Sequence, residues 1–436
     1  MPVPTRRLAV LAAALSLAVL ALPLGLPESV LLVDGALLVV AGVDWWRALR
    51  PEELEVAREL PGALVLGGEG EVSWRVRNPS RRRLVVALAD DLAPSLGADR
   101  RARLVLPPQG VGRASCPLRP RRRGRFEVRE VVLRIDGPLG LAARQGAVPL
   151  PAVLRVAPAF RSREEAELRL RRARLLEVGL RSAAGRGGGT EFDALRAYTP
   201  DDETRRIDWA ATARSGSGDP VVRTYRAERN QSVICLLDLG RTMAARVGGV
   251  PRVEHAMDAV LALTTVASGL GDRAGLLAFS SEVRAVVPPG GGARRVARVT
   301  EALATLEPEL VESDYRGAFL EALARFRRRA LLVLLTELAE QALTDTLLPA
   351  LPLLVRDHVV LVAGVTDPDV ARWARGAPSE AGTAYRKAAA VAALEERARV
   401  VARLRGLGAT VVDEPPGRLA PALCDAYLRV KATGRL

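Results

Sequence analysis

The sequence predicts a chain of three parts: two membrane-spanning helices at the amino terminus, a small β-sandwich module, and an α/β domain on a parallel sheet covered on both faces. Three observations predict it. Two long apolar stretches open the chain, and period-two alternation broken by turn signals runs from Glu52 to about Phe160. Beyond Gln231, near-continuous apolar runs alternate with amphipathic helical sequence.

The first apolar stretch, Leu8 to Leu26, carries no charge and is long enough to cross a bilayer core as a helix. Gly25, Pro27 and Glu28 break it. The second, Val30 to Trp46, is interrupted by Asp34 and Asp44 and closes on Trp45-Trp46, residues suited to a headgroup interface. Arg6 and Arg7 precede the first stretch and Arg47 and Arg50 follow the second, while the connection carries Glu28. This asymmetry places both flanks in the cytoplasm. The chain is therefore expected to be tethered to a membrane, with everything after Pro51 cytosolic. Asp34 and Asp44 are expected near the two span ends, where each reaches water. A cleaved signal peptide is the competing expectation, opposed by the second apolar run and by the lack of a small-x-small cleavage site.

From residue 51 to 160, "ALVLGGEGEVSWRVRNPSRRRLVVALADD" and the later "GRFEVREVVLRIDGPLG" read as short strands between Gly, Pro and Asn turns, the pattern of a sandwich. Residues 161–231 begin with charged, Leu-rich helical sequence. They continue into a glycine run and a charged, aromatic stretch with no long apolar face, expected to be a functional loop. In residues 232–436, "SVICLLD", "AGLLAFS", "ALLVLLTE", "HVVLVAGV" and "ATVVDEP" read as strands and "VRAVVP" as an edge strand. Helices are expected near Val253–Gly269, Ala293–Leu306, Tyr315–Arg327 and Glu380–Leu407. Ligands of such sheets sit at the carboxyl ends of the strands, where Asp238 and Glu337 fall.

The net charge of the 436 residues is +14, yet only Lys387 and Lys431 are lysine and the arginines are scattered. With few aromatic stacking platforms, this excludes a nucleic-acid surface. Cys116, Cys235 and Cys424 are too dispersed for a disulfide framework or a zinc site, and His255 and His358 have no partner motif. "PGGGARR" at Pro289–Arg295 lacks the Lys-Ser/Thr of a phosphate loop. With no nucleophile elbow or dinucleotide fingerprint either, the chain is expected not to be an enzyme.

The stretch "GTEFDALRAYTPDDETRRIDWAATARSGSGDPVVRTYRAERNQ", Gly189 to Gln231, resembles the signature of the bacterial family called "domain of unknown function 58". "GDRAGLLAFSSEV" and the ending "DAYLRVKATGRL" fit it as well. The resemblance implies a Rossmann-like α/β domain of von Willebrand factor A type, and a MoxR-type AAA+ ATPase as partner. It also implies a metal-ion-dependent adhesion site for Mg²⁺ with the pattern Asp-x-Ser-x-Ser, a Thr, and a later Asp. Here Asp238 keeps the carboxylate, Gly240 replaces the first hydroxyl and Thr242 keeps the second. Ser313 stands for the Thr, and Glu337 for the later Asp. Two readings stay open. Either these groups hold a metal with an added water, or Asp238 and Thr242 cap the following turn and helix while Glu337 is solvated. The cluster Glu191, Asp193, Arg196, Asp201, Asp202, Arg205, Arg206, Asp208 and Trp209 is expected to be either a salt-bridged belt docking this segment or a surface recognised by the ATPase. The function expected is a membrane-anchored interaction scaffold. The alternatives are a metal-independent scaffold and a metal-dependent hydrolase.

Overall fold

A computed structural model describes residues 1–19, 26–183, 191–200, 202, 204–216, 219–226, 230–292, 294–339 and 346–433. The chain divides into two compact units, Met1–Ala157 and Pro158–Leu436.

The strands of the first unit are, in chain order, β1 (Pro2–Pro4), β2 (Glu55–Glu59), β3 (Leu64–Val65), β4 (Gly70–Arg77), β5 (Leu84–Asp90), β6 (Arg101–Leu106), β7 (Val111–Leu118), β8 (Gly124–Asp136) and β9 (Ala142–Ala157). One sheet runs β1-β9-β8-β5-β6 with β3 beside β9, and the other runs β2-β4-β7. Alternation decides which side chains enter between them. Val72, Trp74 and Val76 from β4 meet Val86 and Leu88 from β5 and Leu133 and Ile135 from β8 in one core. Inside it, Asp90 accepts from Trp74 Nε1 at 2.5 Å and from Arg58 Nη1 at 2.5 Å, so the buried carboxylate is paired.

Two helices belong to this unit, Arg6–Val19 and Leu26–Arg47. Among the described residues one helical stretch, Glu28–Glu53, is long and apolar enough to cross a membrane, with mean hydropathy 1.6. The end of the first expected span, residues 20–25, lies outside the described residues. Asp44 departs from expectation. It is 1% exposed, and its carboxylate accepts the backbone N–H groups of Leu139 (2.7 Å), Leu141 (2.8 Å) and Ala142 (3.0 Å). An anion close to an apolar helix is held by three donors instead of water. Nearby, β1 pairs with the start of β9, and Thr5 Oγ1 donates to Gly140 O at 2.6 Å. The helical segment and the sandwich are thus joined at one strand end.

The second unit contains an antiparallel pair, β10 (Glu191–Ala197) and β11 (Val221–Arg226). It also contains β12 (Ser232–Asp238), the short hairpin β13 (Arg246–Val247) and β14 (Val250–Pro251), β15 (Arg273–Phe279), β16 (Val283–Gly290), β17 (Leu331–Leu335), β18 (Val359–Val365) and β19 (Thr410–Glu414). The main sheet has the order β16-β15-β12-β17-β18-β19. Every neighbouring pair in it is parallel except β15 and β16. Numbered by chain position within the sheet this is 3-2-1-4-5-6, so the winding reverses between β12 and β17. Along β12, Val233, Cys235 and Leu237 enter one core with the helices Arg252–Gly269 and Leu419–Ala432, whereas Ile234 and Leu236 enter the core on the other face with Tyr315–Arg325. That two-sided burial is why the strand reads as unbroken apolar sequence. The expected helices appear as Arg252–Gly269, Arg294–Ala304, Tyr315–Arg325 and Ala381–Gly406.

Candidate functional site

The reversal between β12 and β17 places Asp238, last residue of β12, beside Thr336, the first residue after β17. Asp238 is fully buried. Its Oδ1 accepts from Gly240 N at 2.8 Å and Ser313 Oγ at 2.5 Å; its Oδ2 accepts from Tyr315 O–H at 2.8 Å and Thr336 Oγ1 at 2.6 Å. Four donors use the carboxylate's acceptor capacity. Burial, then the adjacent Asp238 charge, hold the Tyr315 phenol well above its ordinary range, so it remains a donor. The Asp238–Gly240 bond is the turn contact expected of an Asx residue.

Gly240 explains how the loop before Tyr315 closes over this carboxylate. A Cβ at position 240 would lie 2.0 Å from Ser313 Oγ and 3.1 Å from Val311 O. The Ser313 hydroxyl fills the space that a side chain there would need. Backbone bonds from Glu309 N to Leu239 O (2.7 Å) and from Arg241 N to Val311 O (2.9 Å) hold the loop down.

Glu337 is 6% exposed, not solvated as one reading had it. Arg397 Nη1 lies 2.6 Å from its Oε1 and Arg252 Nε 3.0 Å from its Oε2. Arg397 continues to Asp413 on β19 at 2.7 and 2.8 Å, and Asp413 accepts from Thr366 Oγ1 at 3.1 Å. Thr242 is half-buried on the short helix Arg241–Ala244 and meets the network through its carbonyl, which accepts from Arg252 Nη1 at 3.3 Å.

These residues do not fit Mg²⁺ as they stand. The ion requires about six oxygens in an octahedron. Asp238 is already saturated, Gly240 offers no side chain, and Glu337 is held by two guanidinium groups. Among the described residues, no three His, Cys, Asp or Glu side chains gather to hold a metal ion.

The structure brings Asp238 and Ser313 into direct contact, and brings Thr242 and Glu337 to Arg252. Sequence reasoning missed Tyr315, Thr336, Arg252, Arg397 and Asp413. Thr336 had a signal, a polar residue closing the apolar run "ALLVLL". The arginines had none, because their partners lie far away along the chain.

The segment before β12 is folded rather than a plain loop. Asp208 caps the helix Trp209–Ser215 by accepting from Ala211 N at 3.0 Å, and its other oxygen accepts from Arg223 Nε at 2.8 Å. Asp202 accepts from both arms of the Arg196 fork, at 2.8 and 2.5 Å, and from Thr199 N at 2.9 Å. The Arg196 guanidinium holds this carboxyl far below the usual range. These two pairs close within the segment. Trp209 and Arg205 are exposed. Glu191 and Asp193 lie on β10 and Arg206 in a short 3-10 turn, their side chains outside what is described, as is Asp201.

Fold and site define a doubly wound α/β domain with a hydroxyl-filled carboxylate at its switch point. The family model described as "Protein of unknown function DUF58" matches residues 194–373. That range includes Asp238, Arg252, Ser313 and Glu337 and leaves out Arg397 and Asp413. Uncharacterized protein Rv1480 of Mycobacterium tuberculosis and Uncharacterized protein Mb1516 of Mycobacterium bovis are each 30% identical over 185 residues, 42% of this chain. The chain spans 56% of the length of these relatives. Among solved structures, a chain of the complex between Zinc 2-glycoprotein and Prolactin inducible protein from human seminal plasma matches over 25% of this chain and 96% of its own, at 14% identity and a TM-score of 0.19. A likeness that slight says nothing of this fold.

Proposed function

We propose that this chain is a membrane-anchored, non-catalytic scaffold of the inner membrane. Its α/β unit, a von Willebrand factor A-type domain, binds a protein partner in the cytoplasm. The observation that carries this reading is the switch-point site itself. The end of the sheet where doubly wound enzymes keep their reacting groups is filled by a carboxylate saturated with protein donors. Among the described residues, Ser313 is the one serine bonded to Asp238; it donates to that carboxylate, and no described histidine meets it to activate it as a nucleophile. The 3-2-1-4-5-6 order with a reversed third strand supports the A-type assignment. The family match supports a MoxR-type AAA+ ATPase as the partner, through the resemblance stated above.

The test is a binding measurement between the full chain in detergent and the MoxR-type ATPase of the same organism. Saturable association that alters ATP hydrolysis by the ATPase, with no substrate turned over by this chain, is expected. A chain that hydrolyses esters or phosphoesters and loses that activity on Asp238→Ala defeats the proposal.

A further inference from the structure

We infer that the guanidinium of Arg252 has taken the place of the divalent cation at the strand-end site, which is braced by a cation built into the chain and is indifferent to Mg²⁺. This deepens the scaffold reading and concerns the same site. Its tests read metal binding and stability rather than partner capture, so either idea can fail alone.

The four positions to which the resemblance assigns a metal fall into two pairs. Asp238 and Ser313 bond directly to each other at 2.5 Å. Thr242 and Glu337 both meet Arg252, the first through its carbonyl at 3.3 Å and the second through its carboxylate at 3.0 Å. A shared cation would have to draw all four toward one centre, and here one pair is satisfied without a cation and the other already holds one. The contact from Arg252 Nε to Glu337 Oε2 is short yet lacks hydrogen-bond alignment. It therefore acts as charge against charge, as a metal would, more than as a directed fork.

The local charge balance agrees. Glu337 and Asp413 supply two negative charges and Arg252 and Arg397 two positive ones, all four side chains under 20% exposed. Asp238 keeps its charge but is fully hydrogen-bonded by neutral donors. The five charged groups leave one net negative charge, on an Asp238 whose oxygens are all taken by donors, too little to draw a divalent ion out of water, where its hydration is strong. The lost hydroxyl at Gly240 belongs to the same change. With no side chain there, Ser313 moves into the freed space and bonds Asp238, closing the oxygen that would otherwise face a metal. The result ties the start of the helix Arg252–Gly269 to the ends of β17 and β19 and to the helix Ala381–Gly406, across the carboxyl end of the sheet.

The experiment titrates Mn²⁺ into the full chain in detergent by calorimetry, and follows the thermal midpoint with Mn²⁺ and with chelator. Wild type is expected to give no saturable heat at millimolar Mn²⁺ and no shift with either addition. Arg252→Ala leaves Glu337 with Arg397 alone, one negative charge in surplus across Glu337, Arg397 and Asp413, and frees the Thr242 carbonyl. Its midpoint should fall, and Mn²⁺ should return at least half of the loss. Glu337→Gln in the same chain should also recover it, since the surplus negative charge is then gone and Arg397 keeps Asp413. Where Arg252→Ala is too unstable to purify, refolding yield with and without Mn²⁺ gives the same readout. Three results overturn the inference: saturable Mn²⁺ binding by wild type that disappears in Asp238→Asn; rescue of Arg252→Ala by Glu337→Gln but not by Mn²⁺, which would make Arg252 an ordinary ion-pair partner; or rescue by neither.

Discussion

Replacing Asp238 by Asn and by Ala separates a hydroxyl-filled carboxylate from a metal-holding one. In Asp238→Ala, the Gly240 N–H and the Ser313 hydroxyl lose their acceptor. Tyr315 and Thr336 keep each other at 2.8 Å. Two stranded donors cost roughly 1–1.5 kcal/mol each, and the small void adds about 1 kcal/mol. The expected total is about 3–4 kcal/mol. Asp238→Asn is nearly isosteric. Its carbonyl oxygen can keep Gly240 and Ser313 while its amide donates to Tyr315 and Thr336, whose hydroxyls turn from donor to acceptor. Only charge assistance is lost, about 1 kcal/mol. Hydrogen exchange at the Gly240 amide reads this locally, and calorimetry should show midpoint losses near 10 °C for Ala and near 3 °C for Asn. If Asn costs as much as Ala, the hydroxyls are not free to reverse, and the account of the hub is wrong.

Other expectations follow from burial elsewhere. Asp44→Ala removes the shared acceptor of three backbone N–H groups and should destabilise the first unit by about 3 kcal/mol, with faster exchange at Leu139, Leu141 and Ala142; unchanged exchange there would mean that the contact contributes nothing. Desolvation pushes the Cys235 and Cys424 thiols up to about 12. Both should resist maleimide in the folded chain at about pH 8 and react only after denaturation, as read by mass spectrometry; rapid labelling of the native protein would contradict their burial. Desolvation also lowers His255 and His358 below the ordinary 6.5. The unfolded chain then binds protons first as pH falls, so the stability these two contribute is complete above 6.5 and declines below it, toward their folded values. Thermal midpoints should drop between about pH 7.5 and about pH 5.5, and the double variant His255→Gln, His358→Gln should flatten that slope.

The parts of this molecule that sequence foretold are those governed by local period. Buried parallel strands show as apolar runs and sandwich strands as alternation; "SVICLLD" is β12 residue for residue, while the start of β9 at Ala142 lies ten residues before the run "AVLRVAPAF". What escaped depends on partners distant in the chain. Asp44 reads as a misplaced charge in an apolar helix because its three donors lie almost a hundred residues later, in a loop of glycine and leucine with no polar side chain to announce it. Glu337 reads as a solvated strand end or a metal ligand because Arg252 and Arg397 are two arginines among many. In a chain with only two lysines, arginine carries nearly every positive charge, structural and superficial alike. Composition therefore hides the ion pairs that matter.

Gly240 is the exception that ties the two levels together. Read along the chain, it is one missing hydroxyl in a recognisable pattern. In space it is the reason Ser313 can reach Asp238, since any side chain there meets that hydroxyl at once. Gly240→Ser would therefore do more than restore a ligand type. It would force Ser313 out of its bond and leave Asp238 Oδ1 one donor short. A chain so altered should lose stability rather than gain a metal site while Arg252 still holds Glu337. Only Gly240→Ser combined with Arg252→Ala removes both of the protein's own substitutes for the cation. Calorimetric titration of Mn²⁺ should therefore show no binding by Gly240→Ser, binding by Arg252→Ala, and tighter binding by the double variant. Binding by Gly240→Ser with Arg252 intact would show that the missing hydroxyl, not the arginine, controls the site.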